Sequence, residues 1–143
     1  MAGRHNRHMN SRPARTVSVS VDRDPDDTYE YISDPRHLPD WAPAFAKSVH
    51  QEGDRWVVET ADGTVGIAFA PANRLGVVDH RVTGDEGLDD LNPMRVIANG
   101  DGSEVLFTLF QPSGTSDDQF DRDLRIVESD LQTLKRVLEG GDG

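Results

Sequence analysis

The stretch from Ser116 to Glu139 constrains the fold of this chain more than any other. Wound as an α-helix, it places Phe120, Leu124, Val127, Leu131, Leu134 and Leu138 on one stripe roughly 80° wide. Ser116 is a good N-cap, and Gln119 three residues on completes a capping box. Asp117, Asp118, Asp121 and Asp123 crowd the first turns, where the helix dipole favours negative charge. Lys135 and Arg136 stand in the last turns, and Gly140-Gly141 ends the run. Such a helix is about 36 Å long. Its apolar stripe cannot bury itself, so a wide concave apolar surface has to cover it.

The preceding residues supply strands for that surface. Thr16 to Val21 alternates strictly, with the valines on one side. Asp24-Pro25 opens a short helix through Tyr29, Tyr31 and Ile32, and Asp34-Pro35 stops it. A second helical turn follows from Arg36 to Trp41, then a strand from Ala44 to Gln51. Asp62-Gly63 reads as a type I′ turn joining Arg55–Ala61 to Thr64–Ala70. In that register Thr60 faces Val65, Val58 faces Ile67 and Trp56 faces Phe69, all on the buried side. Leu75 to Thr83 reads as a strand with Val78, His80 and Val82 in phase, and Gly84 to Asn92 as an acidic, turn-rich connection. Met94–Ala98 and Ser103–Gln111 pair around Asn99-Gly100-Asp101-Gly102, with Met94 opposite Phe107 and Val96 opposite Val105. Helix and sheet of this kind make an α+β domain, the antiparallel sheet curving around the helix.

Charge and composition limit what such a domain meets. Net charge is −11 at neutral pH, with 19 Asp against 7 Glu and only two lysines, Lys47 and Lys135. That balance fits either an acidic surface adapted to high salt or a bias toward Asp and Arg. Residues 1–15 carry Arg4, Arg7, Arg12 and Arg15 with no acid, so the remainder holds 11 basic and 26 acidic residues, a charge of −15. The expected organisation is a disordered basic tail over 1–15, a domain over 16–139 and a flexible end over 140–143. The tail is open to two readings, an arm for RNA or an acidic partner and a dispensable extension docking on its own acidic body. The acidic body argues against nucleic acid and anionic membranes as its partners. No run of 18 apolar residues and no apolar leader occurs, so a soluble, cytoplasmic protein without membrane insertion is expected, monomeric or weakly homodimeric. Cysteine is absent, which removes disulfides and thiol chemistry.

Several segments together resemble a known group. They are Tyr31-Ile32-Ser33-Asp34-Pro35, Leu38-Pro39-Asp40-Trp41, Leu75 to His80, Gly100 to Val105, Phe107-Thr108 and the start of the last helix from Asp117. With the element order, they make the chain similar to the SRPBCC or START-like superfamily over Thr16 to Glu139. This helix-grip group includes polyketide cyclases, lipid-transfer domains and pollen-allergen-type binding proteins. The resemblance implies a curved seven-stranded antiparallel sheet around the C-terminal helix, with two short helices after the first strand. It also implies a pocket between helix and sheet, and it supplies no shared catalytic residue.

Candidate site residues follow from phase. His80 is in step with Val78 and Val82 and should point inward, where it is either a proton-transfer group or a satisfied core histidine. Asp79 then points the other way and cannot orient it. Asp123 lies on the helix beside Phe120 and Val127, ready to accept a ligand hydroxyl or the His80 proton, or simply solvated near the dipole. Trp41 either closes over a ligand or packs on the sheet edge. Trp56, Val58, Phe69, Val78, Met94, Phe107, Phe120 and Val127 are the expected walls. No GxSxG, HExxH, P-loop or strand-linked GxGxxG is present, and His37, His50 and His80 are scattered, so no metal or cofactor is expected. Three functions stay open. The first is a binder of a small hydrophobic or aromatic molecule, lipid- or polyketide-like. The second is a cyclase or dehydratase using His80 with Asp123, Tyr29 or Tyr31. The third is a protein-interaction module with a filled cavity.

Overall fold

A computed structural model describes residues 11–140 of the chain; most of the basic tail, and residues 141–143, lie outside the described residues. The elements are β1 (Ala14–Val21), α1 (Pro25–Ile32), a 3₁₀ turn at Pro35–His37, α2 (Leu38–Trp41), β2 (Ser48–Glu52), β3 (Arg55–Thr60) and β4 (Gly63–Phe69). After them come β5 (His80–Thr83), a 3₁₀ turn at Asp85–Gly87, β6 (Asp89–Asn92), β7 (Met94–Asn99), β8 (Gly102–Phe110) and α3 (Asp117–Leu138). Strands β1, β8 and β7 form one antiparallel sheet, and β2 to β6 form a second in chain order. Residues Gly76–Asp79 join the two. Val77 bridges to Arg95, Val96 N–H donates to the Gly76 carbonyl (2.8 Å) and Val78 N–H to the Met94 carbonyl (3.0 Å). The chain then enters β5, which pairs with β4 and β6. The result is the expected α+β helix grip.

Helix α3 is held from both ends. Ser116 accepts from Gln119 N–H (3.1 Å), but the Gln119 side chain turns to Asp123 (2.8 Å) rather than back to the cap, so only half the capping box forms. At the far end Arg23 donates to the Leu138 carbonyl (2.9 Å) and Lys135 to that of Ser20 (2.7 Å). Leu131, Leu134 and Leu138 are buried with Val19, Val21, Ile32, Met94 and Val105 in one core. The stripe therefore does bury against the sheet, through its C-terminal half. Thr28 and Ser103 are buried polar groups in the wall beside it. They satisfy each other (3.1 Å), and Ser103 also donates to the Arg23 carbonyl (2.7 Å).

Five details differ from the sequence reading. Among the described residues there are eight strands rather than seven, because the acidic Asp89–Asn92 pairs along β5 despite its low strand propensity. The strand expected over Leu75–Thr83 is regular only from His80, since Gly76 takes φ +73 where the chain crosses between sheets. The strand expected from Ala44 starts at Ser48, and β1 starts earlier than expected, at Ala14. The β3–β4 hairpin turns at Ala61-Asp62, pairing Thr60 with Gly63, Val58 with Val65 and Trp56 with Ile67. The Thr60 hydroxyl sets that turn by accepting from Asp62 N–H (3.1 Å) and donating to the Gly63 carbonyl (2.8 Å). A slip of two residues keeps every side chain on its expected face. By contrast, the register read for β7 and β8 holds: Met94 pairs with Phe107 and Val96 with Val105.

Candidate functional site

Between the middle turns of α3 and the sheet lies a cavity of about 410 Å³. Helix α3 contributes Asp123, Ile126, Val127, Asp130 and Leu131; α2 and its following loop contribute Leu38, Trp41 and Phe45. The tip of the β3–β4 hairpin, with Thr60 and Asp62, closes one side. His80 and Val82 from β5, Asp90 and Asn92 from β6, and Phe107 and Leu109 from β8 form the floor. Four of the large apolar side chains that remain exposed, Leu88, Leu91, Phe110 and Ile126, also belong to its lining.

Among the expected site residues, Trp41, His80, Phe107, Asp123 and Val127 line this cavity. The others do not. Val58, Val78 and Met94 are at most 1 % exposed and packed solid in the core. Trp56 is on β3 four residues from the Thr60 end that meets the cavity, about 13 Å along the strand. Phe69 stands beside the His80 ring, centroids 5.0 Å apart, and Phe120 is buried outside the cavity lining. For the strand residues, alternation gives the face but not where along each strand the helix closes on the sheet. Neither tyrosine reaches the site. Tyr29 accepts from Asn73 N–H through its hydroxyl (3.0 Å), and Tyr31 stacks on His37 at 4.1 Å.

His80 is the polar centre of the floor. Its ring is buried between those of Phe69 and Phe107, and Nδ1 donates to the Val78 carbonyl (3.1 Å). Removal from water outweighs that hydrogen bond and the nearby Asp79 charge, and lowers the pKa of His80 below its ordinary value. The ring is therefore neutral at neutral pH, and with the proton on Nδ1 its Nε2 is an acceptor. Asp79 does point away, binding Met94 N–H (2.8 Å) and Arg95 (3.0 and 3.1 Å). Asp123 takes its hydrogen bond from Gln119, and among the described residues no carboxylate is bonded to the His80 ring.

Two further polar features of the wall went unread in the sequence. Asp130 is only 5 % exposed, although it is an aspartate in mid-helix. It accepts from Ala44 N–H (3.0 Å), which ties the loop after α2 to α3, and burial pushes its pKa up against that bond. Its signal was available: Asp130 is seven residues after Asp123, hence two turns along the same flank of the helix. The indole N–H of Trp41 is buried and has no acceptor among the described residues. Such a group costs stability until something accepts from it. Nothing in the sequence marks that orphan donor.

No group of His, Cys, Asp and Glu suited to a metal ion occurs among the described residues, and no helix among them is long and apolar enough to cross a membrane.

Comparison with known proteins agrees with this architecture. The family model described as polyketide cyclase/dehydrase and lipid transport matches residues 13–139. No curated protein matches by sequence. Among solved structures, the Aha1 dimer from Colwellia psychrerythraea superposes with a TM-score of 0.72 at 14% identity, over 92% of this chain and 99% of that one. The protein XoxI from Bacillus cereus gives 0.71 at 18% identity, over 91% and 98%. Ara h 8.0201 gives 0.65 at 14% identity, over 88% and 97%. At these identities the structural likeness establishes the fold alone.

Proposed function

This chain belongs to the polyketide cyclase/dehydrase and lipid transport family, and from that premise we propose that it binds a small hydrophobic or aromatic molecule, lipid- or polyketide-like, between α3 and the sheet. The observation that carries this reading is the cavity itself, about 410 Å³ with apolar walls and a few placed polar groups. Ligand sites of small molecules have that volume range and that mixture. A ligand hydroxyl fits the acceptor Nε2 of His80, and its rings fit against Trp41, Phe45 and Phe107. The open volume speaks against a protein-interaction module whose interior is filled by side chains.

A second reading has one observation in its favour. A neutral His80 facing the cavity is able to take a proton, as a cyclase or dehydratase base would. Against it stands the absence of a carboxylate orienting the ring among the described residues, since Nδ1 is engaged by a backbone carbonyl.

Native mass spectrometry of protein purified without detergent tests the binding reading directly. Retained mass in the range of a small lipid or polycyclic aromatic is the expected result; bare protein that also ignores the neutral dye N-phenylnaphthylamine would sink it. His80→Ala then separates the two readings. A binder should lose roughly 1–3 kcal/mol of affinity with its hydrogen bond, whereas a general base should cost about 10²–10⁴ in turnover of a cyclisable substrate.

A further inference from the structure

The cavity wall holds carboxylates without matching cations. Four aspartates line it, Asp62, Asp90, Asp123 and Asp130, against a single basic side chain, Arg12. Arg12 is exposed, with its guanidinium 5.8 Å from the centre of the Phe110 ring. His80 contributes no charge, for the reasons given above. Of the four acids, Asp130 is the buried one, and its partners are the backbone N–H groups of Ala44 and Phe45 rather than a cation. Lys47, whose charge it feels, is exposed and donates instead to the Pro43 carbonyl (3.2 Å). Among the described residues no salt bridge includes Asp123 or Asp130.

Resting on the binding function proposed above, we infer that the ligand carries a protonated amine, paired with Asp130 and flanked by Asp123. A buried carboxylate is costly while unpaired, and a ligand cation would offset that cost where solvent is largely excluded. Trp41 and Phe107 add aromatic faces of the kind that attract cations. A carboxylate-bearing ligand such as a fatty acid meets the opposite situation, four carboxylates in the wall against the exposed Arg12 and the indole N–H of Trp41. A purely structural Asp130 is the competing explanation, because its bond to Ala44 already anchors the loop after α2.

A matched series on one ring system decides between them. Naphthylmethylamine, naphthylmethanol and naphthoate are titrated into the full chain by calorimetry at neutral pH. The amine should bind at least about tenfold more tightly than naphthoate, with the alcohol between them. Asp130→Asn keeps an acceptor for Ala44 N–H and should narrow the amine–naphthoate gap by about tenfold. Asp101→Asn, which removes the same charge in the exposed β7–β8 turn, should leave the gap unchanged. Naphthoate binding as well as the amine, or an amine preference that survives in Asp130→Asn, overturns the inference while leaving the cavity as a binding site. Failure of all three compounds to bind folded protein removes the binding function, and this inference with it. If Asp130→Asn does not fold, the wild-type order of amine, alcohol and naphthoate decides alone.

Discussion

Leu131→Ala should lower the free energy of unfolding by about 2–5 kcal/mol, through lost transfer energy and the void left behind. Leu131 is 2 % exposed, and it belongs both to the core between α3 and the sheet and to the cavity lining. It is thus where the helix changes from packed element to cavity wall. The neighbouring cavity gives the site room to relax, which favours the lower half of that range; Leu134, at 0 % exposure and outside the cavity lining, belongs in the upper half. Urea midpoints with unchanged slopes would report both values. A midpoint that barely moves for either variant would place the stripe in solvent and remove the grip itself.

Gly76→Ala should cost at least about 2 kcal/mol, although the position is far from any candidate chemistry. Two observations combine here. Gly76 has φ +73, which any side chain adopts only with strain, and a Cβ built on it would collide with the Val96 carbonyl oxygen. That oxygen belongs to β7, whose Val96 N–H donates to Gly76 itself, so relief of the clash must pull a segment that bridges the two sheets away from β7. The same segment delivers His80 to the cavity floor. A second consequence is therefore expected: the Gly76→Ala protein that remains folded should bind N-phenylnaphthylamine more weakly than the parent. Wild-type stability in this variant would mean that the crossing is pliable and does not position the floor.

The fold was legible because its strongest signals are periodic. The α3 stripe, the valines of β1 and the Met94–Phe107 register each depend on the spacing of apolar residues, and spacing survives in the structure. The β3–β4 register was misread because a side chain overruled a dipeptide: the Thr60 hydroxyl organised the turn one residue before Asp62-Gly63 would have. Strand β6 was hidden by its composition, since Asp89 and Asp90 look like loop until β5 offers them hydrogen-bond partners. The site was less legible than the fold for a different reason. Phase tells which way Met94, Val78 and His80 point, and all three point inward. Only the packing of the helices on the sheet determines that Met94 and Val78 are sealed while His80 meets open volume. Asp130 was passed over because an aspartate on a helix flank is ordinarily solvated; here the loop after α2 folds over it and turns it into a buried acceptor.

The central claim is that the space between α3 and the sheet is a ligand site with His80 on its floor, and an NMR titration of the His80 ring tests it most directly. Burial lowers the pKa of this histidine in the folded protein, so the free protein should show a value below the ordinary one of about 6.5. The sign extends to stability: the unfolded chain takes up this proton first, so the His80 contribution is complete above about 6.5 and is lost as pH falls through the folded value. Addition of N-phenylnaphthylamine should shift the ring resonances of His80, together with those of Phe107 and the methyls of Val127. A pKa near 6.5 that is indifferent to the dye would place the ring in solvent and contradict the account.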